Sequence, residues 1–294
     1  SEIVLTSHVY GAVQKQVEFL SRQYGINIKY ANLPWPVYKA EDITNSILNS
    51  ITDSTTMLIL DAITSISGLV IPYEKIIHQL KKSKVKVLID AAHLPGQLDI
   101  NLNTLKPDFL VGNFHKWTCA PIGCAFLYIG DHIKDEIAPA VPSWGQDINR
   151  NEAFYWQGTR DYTPWLVLPK VFEWCSDSWE SRRKYNNSLA KYAHKYLVET
   201  LDVDPRVPLD GSCSAHMYSI VLPDTVLKKI NNPEKLSEQL YRYARIEIPV
   251  MKIEEDWCIR ISSQVYNKPS QYHRLGKVLQ LISEGHSIID AGKG

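Results

Sequence analysis

Between residues 3 and 129 short apolar runs alternate with amphipathic stretches, and this alternation constrains the fold more than any other feature of the chain. The runs cover residues 3–5, 28–33, 57–60, 85–89, 109–111 and 125–129. Most are nearly continuous in Val, Ile, Leu, Met or Phe, as strands buried on both faces are. Between them, residues 14–24 set Val17 and Leu20 on one helical face before a stop at Gly25. Residues 41–51 repeat Ile43, Ile47, Leu48 and Ile51 at helical spacing, and Pro72 opens a stretch with Ile76, Ile77 and Leu80. Such alternation predicts an α/β fold: a mostly parallel sheet with helices on both faces. Ligands in such sheets lie beyond the carboxyl ends of the strands.

The rest of the chain reads differently. Residues 164–201 are helical in pattern, with a break near residues 176–178. A strand over 217–222, a helix over 233–244, strands over 246–253 and 258–262, and a helix from Pro269 make an α+β unit. The expected organisation is a large domain over residues 1–165, a connecting helical region over 166–200 and a small C-terminal domain over 201–294.

Lys+Arg and Asp+Glu both total 32, so no basic surplus points to nucleic acid or an anionic membrane. No run of 18 apolar residues suggests a membrane span. No secretory signal opens the chain, whose first residues read as a strand already under way. The five cysteines, at 119, 124, 175, 213 and 258, fit no disulfide framework, which favours a reducing, cytoplasmic setting. His115, Cys119 and Cys124 lack the fourth ligand and paired spacing of a metal site, so no metal is expected. No GxGxxG follows a strand, which argues against a nucleotide-binding dehydrogenase.

Two strand ends carry the chemistry. One apolar run ends in Asp90-Ala91-Ala92-His93 and the next in Asn113-Phe114-His115-Lys116-Trp117. A lysine amine and a carboxylate at neighbouring strand ends suit pyridoxal phosphate, whose Schiff base the lysine forms and whose ring nitrogen the acid pairs. Desolvation and a nearby cation would lower the Lys116 pKa and free its amine. His93 could meet the cofactor or the substrate. Asn113 and His115 offer donors to a phosphate, as does Thr159 in Trp156-Gln157-Gly158-Thr159-Arg160-Asp161, ahead of an expected helix start. His8 and Tyr10 follow the first strand; His8 could stack on a flat ring and Tyr10 could move a proton. Arg260, inside an apolar strand, requires a carboxylate partner from the protein or the substrate.

The stretches LTSHVYGAV (5–13), VLIDAAHLPGQLDI (87–100), PDFLVGNFHKWTCAPIGCAFLYI (107–129), WQGTRD (156–161) and RISSQVYN (260–267) resemble the class V aminotransferase family. The branch they resemble contains isopenicillin N epimerase-like proteins and ergothioneine-pathway C–S lyases. The resemblance runs nearly the whole chain. It implies fold type I with a seven-stranded-type sheet, pyridoxal 5'-phosphate as cofactor, an amino-acid substrate and a homodimer with shared active sites. Lys116 would hold the cofactor and shuttle the α proton, Asp90 would pair its ring nitrogen and His8 would stack on the ring. Ser65 and His93 would lie near its phenolic oxygen. Asn113 and His115 would reach the phosphate, Thr159 that of the partner subunit, and Arg260 the substrate carboxylate. Family members carry a Thr-containing phosphate loop before the first strand read here, and this sequence begins after it. Cysteine desulfurases of the class carry a nucleophilic cysteine on a mobile loop before the arginine, whereas residues 245–256 contain none. The implied reaction is C–S β-elimination or epimerisation. Transamination, or a non-catalytic relic serving in assembly, stays open.

Overall fold

The computed structural model describes residues 1–133 and 137–293. The chain runs β1 (Glu2–Thr6), α1 (Gly11–Tyr24), β2 (Asn27–Ala31), α2 (Ala40–Asn49), β3 (Thr55–Asp61), α3 (Tyr73–Leu80), β4 (Lys86–Asp90), α4 (Leu102–Leu105), β5 (Phe109–Asn113) and β6 (Ala125–Ile129). The helices α5 (Arg150–Tyr155), α6 (Thr163–Leu166), α7 (Leu168–Ser176) and α8 (Trp179–Leu201) follow. Then come β7 (Met217–Val221), α9 (Asp224–Leu227), α10 (Leu236–Gln239), β8 (Val250–Ile253), β9 (Asp256–Ser262), α11 (Pro269–Ser283) and α12 (Ile288–Ala291).

Six strands form one sheet in the order β2-β1-β3-β4-β5-β6, parallel except for the antiparallel edge strand β6. The apolar runs therefore folded as the periodicity predicts. The count is six among the described residues, one fewer than the seven-stranded arrangement that the resemblance implied. These residues hold six apolar runs, and the seventh strand had none of its own. Val4, Leu58, Leu60, Val87, Ile89 and Leu110 fill the interior of the sheet layer. α1 stops where expected: Gly25 is left-handed (φ 67°) and its N–H returns to the Ser21 carbonyl at 2.8 Å.

β7, β9 and β8 form an antiparallel three-stranded sheet in the order β7-β9-β8. The expected strand over 246–253 is regular only from Val250 onward: Pro249 has no N–H to give to a ladder, although its carbonyl accepts from Arg260 N–H at 3.1 Å. The helix expected over 233–244 changes pitch along its length, from a 3-10 turn at Pro233–Lys235 through α10 to a wider turn at Leu240–Ala244. Leu236, Leu240 and Ala244 all remain buried through these changes. α8 buries Leu189, Ala193, Leu197 and Leu201 at helical spacing and packs on β7 and α11. One apolar core runs from the six-stranded sheet through α8 to the small sheet and α11. Among the described residues no helix is long and apolar enough to cross a membrane.

Candidate active site

β3, β4 and β5 are parallel, so Asp61, Asp90 and Asn113 leave the sheet at one edge. The turn after Asn113 carries Lys116. It closes through Phe114 N–H to the Cys124 carbonyl and Ala120 N–H to the Phe114 carbonyl, both at 3.0 Å. Gly96, in the loop after Asp90, has φ 94° and lies so close to this turn that a Cβ there would come within 2.8 Å of the Trp117 backbone. Only glycine tolerates both that angle and that approach. Gln264 ties the small sheet's side of the molecule to the turn through Nε2–H to the Trp117 carbonyl at 3.2 Å.

Lys116 Nζ is 3.3 Å from His93 Nε2, and the Trp117 indole donates to His93 Nδ1 at 3.1 Å. Asp90 caps its own loop by accepting from Ala92 N–H at 2.9 Å. Asn113 donates to the Ala92 carbonyl at 3.2 Å. His8 is buried, meets Ser67 Oγ through Nδ1 at 2.8 Å and stands edge-on to Trp35. Arg260 reaches across from β9 and donates to the Ser65 carbonyl and, at 3.3 Å, to Ser65 Oγ. Among the described residues no carboxylate forms an ion pair with Arg260.

Lys116 is an exposed residue, yet the protein around its amine pushes the pKa below the ordinary lysine value. Desolvation is the main cause; the Arg260 charge adds to it, and Asp90 and Asp61 oppose it. Burial raises the Asp90 carboxyl above the usual range. His93 is driven down to about 3, first by burial and then by the Lys116 and Arg260 charges, and burial takes His8 to about 4.

Sequence reasoning missed Asp61 and Gln97. Asp61 is 3% exposed and pairs in register with Asp90, so both carboxyls face one side of the sheet. Burial, and then the Asp90 charge, lift its carboxyl well above the usual value. The matching strand ends Leu58-Ile59-Leu60-Asp61 and Val87-Leu88-Ile89-Asp90 were the available signal. Gln97 is buried and clamps two segments: it donates to the His93 carbonyl at 2.8 Å and accepts from His216 N–H at 2.9 Å.

Two expected site residues stand apart from this cluster. Tyr10 is exposed at the start of α1 and makes no side-chain hydrogen bond at the site. Thr159 is exposed in the irregular stretch before α6, and it does not cap a helix. Two residues later Asp161 accepts from Thr163 N–H at 2.8 Å, in the turn that leads into α6.

Five buried polar atoms here have no protein partner: His8 Nε2, Asp61 Oδ2, Asn113 Oδ1, His115 Nδ1 and Arg260 Nε. Buried polar atoms are nearly always hydrogen-bonded. Their collection around one sheet edge, beside a free amine and an unpaired guanidinium, fits an ionised, ring-bearing ligand such as pyridoxal phosphate. A concavity of about 520 Å³ adjoins Arg260 between β9, α11 and residues 245–249. Another of about 590 Å³ lies over β5 and β6 beside Gln157 and Arg160. Lys116 lines neither.

Known proteins resemble the chain along nearly its whole length. Isopenicillin N epimerase from Amycolatopsis lactamdurans is 24% identical over 300 residues, covering 96% of this chain and 74% of that protein. A probable chloroplastic L-cysteine desulfhydrase from Arabidopsis thaliana is 28% identical over 308 residues, covering 96% of this chain and 64% of that protein. Among solved structures, the cystine C–S lyase C-DES in complex with cysteine persulfide superposes with a TM-score of 0.76 at 18% identity, covering 97% of this chain and 75% of that one. That likeness establishes the fold. The family described as Aminotransferase class-V matches residues 1–231, well over half of the chain. The chain belongs to the class V aminotransferase family of pyridoxal-phosphate-dependent enzymes.

Proposed function

We propose that the protein is a lyase that breaks the C–S bond of a cysteine-type amino acid, a cysteine conjugate or its sulfoxide, by β-elimination. The observation that carries this reading is the convergence of the Lys116 amine, the Asp90 carboxyl and the unpaired Arg260 guanidinium at one sheet edge. Pyridoxal phosphate, when bound, supplies the electron sink that stabilises charge at the substrate α carbon. Lys116 would hold it covalently, and its amine would then take the α proton as general base. Asp90 would hold a proton on the ring nitrogen. His8 would stack on the ring, Ser65 and His93 would face its phenolic oxygen, and Asn113 and His115 would hold the phosphate. Arg260 would bind the substrate carboxylate in bidentate fashion, which orients the α proton toward Lys116.

Epimerisation is the second reading, favoured by the epimerase relative. It requires a proton donor on the face opposite Lys116, and Tyr10, the residue expected to serve, stands exposed without a side-chain bond at the site. β-Elimination needs one base and a leaving group, so the arrangement supports the lyase better. Desulfurase chemistry is disfavoured by Cys258. It is fully buried in β9, and burial pushes its thiol up to about 12, so it offers no thiolate.

Incubation with L-cysteine and with cysteine-conjugate sulfoxides is expected to release pyruvate and ammonia in equal amounts. Inversion at the α carbon without pyruvate would replace the lyase reading with the epimerase one. Arg260→Gln is expected to lower kcat/KM by about 2 kcal/mol or more, chiefly through KM.

The same reading takes the protein as a homodimer with shared sites. Trp144 is 88% and Leu166 77% exposed, as large apolar side chains that meet a partner often are. Sedimentation equilibrium is expected to give twice the 33.6 kDa chain mass, and a monomer at micromolar concentration would remove this part. The five free cysteines support a reducing compartment.

A further inference from the structure

The geometry points to Trp117 as a positioning residue that locks the tautomer of His93, so that His93 meets Lys116 as a hydrogen-bond donor and favours its free-base amine. The inference deepens the proposed function, and its consequence for reactivity rests on Lys116 being the cofactor lysine.

An indole N–H can only donate. Trp117 Nε1 lies 3.1 Å from His93 Nδ1, so Nδ1 must be the unprotonated, accepting nitrogen. Turning the imidazole over would put ring carbons against both Trp117 Nε1 and Lys116 Nζ, so the orientation is fixed by the two contacts together. His93 is 8% exposed, and that burial, helped by the Arg260 charge, keeps it neutral. A neutral imidazole whose Nδ1 accepts carries its one proton on Nε2. That N–H faces Lys116 Nζ at 3.3 Å. An ammonium has no lone pair to accept it, whereas a free amine does. The chain Trp117 N–H to His93, then His93 N–H to Lys116, is therefore complete only with the lysine unprotonated.

Trp117 is built to hold this position. Its backbone abuts Gly96, its carbonyl accepts from Gln264, and its ring stands edge-on to His216 at 5.5 Å. The other groups acting on Lys116 are Asp90 on β4 and Asp61 on β3, which favour the ammonium, and Arg260 on β9, which opposes it. The lock adds to Arg260 and to burial against the Asp90 carboxylate. It also makes His93 a proton donor toward whatever occupies the position beside Nζ, and denies it the role of base there.

The test uses the 294-residue chain labelled with ¹⁵N-histidine, with the His93 signals assigned by comparison with His93→Gln. Between pH 6 and 9 the wild type is expected to show a pyridine-type Nδ1 and a pyrrole-type Nε2 at His93. A proton on Nδ1 overturns the proposal without any variant. Trp117→Phe keeps an aromatic ring at this position and removes the donor. It is expected to give a tautomer mixture at His93. It is also expected to raise the pH midpoint for borohydride-trapped capture of pyridoxal phosphate by about half a unit or more. A folded Trp117→Phe protein with the wild-type tautomer and an unmoved midpoint contradicts the lock. Should wild type fail to capture pyridoxal phosphate, the cofactor reading falls, and the nitrogen spectra of cofactor-free protein still decide the proposal.

Discussion

Asp61 and Asp90 leave adjacent strands in register, and two carboxyls so placed in a desolvated edge cannot both ionise cheaply. Asp61 has the deeper position and the unpaired Oδ2, so it is the one that keeps its proton. The sign follows from linkage. Its folded pKa is raised, so the unfolded chain holds fewer protons than the native one above pH 4, and stability is lost as pH rises. Asn mimics the protonated acid and does not titrate. Asp61→Asn is expected to match wild type near pH 4 and to exceed it by about 1–2 kcal/mol at pH 7–8, measured by urea unfolding. A variant less stable than wild type at pH 8 would show that Asp61 is charged and paired. At this scale the sequence disclosed the residues with unusual company, Lys116 beside His115 and Arg260 inside an apolar strand. It hid Asp61, whose meaning depends on strand register, and Gln97, whose bond to His216 joins residues 119 positions apart. Register and long-range contact are properties of the folded chain, and neither leaves a local pattern.

The elements themselves were more legible, because each strand of the large sheet is an apolar run and the break between α7 and α8 falls at Asp177 and Ser178 as expected. The errors came where one residue's chemistry competed with a neighbour's. Pro249, for one, delayed β8. Between α8 and β7 lies an interaction the pattern could not show. His194 is 0% exposed, stacks on Tyr218 at 4.5 Å and leaves both ring nitrogens unpaired. Burial takes its pKa down to about 4. Here the unfolded chain binds the extra proton between pH 6.5 and 4, so stability is lost as pH falls through that window. His194→Phe keeps the stacking and removes the titration. Its advantage over wild type is expected to grow by about 1–3 kcal/mol between pH 7 and pH 4, the opposite trend to Asp61→Asn. A constant difference across that range would mean that His194 finds a partner in solution.

For the whole molecule, the site is assembled by contacts between the two sheets. Arg260 of the small sheet grips the Ser65 loop of the large one. Four residues earlier on β9, Asp256 accepts from Arg206 at 2.6 and 3.1 Å and from the Trp35 indole at 3.0 Å. Trp35 in turn stands against His8, so one strand of the small sheet secures both the candidate carboxylate-binding arginine and the residue expected over the cofactor ring. The apolar core that the two sheets share backs this arrangement with close packing. Everything at this edge turns on Lys116 being the cofactor-bearing lysine. The most direct measurement is to mix the purified protein with pyridoxal phosphate, reduce with borohydride and locate the modified residue by peptide mapping. A visible absorbance band that reduction bleaches, with the label on Lys116 and lost in Lys116→Ala, is the expected result. A protein that stays colourless with added cofactor, or a label on another lysine, would contradict the account.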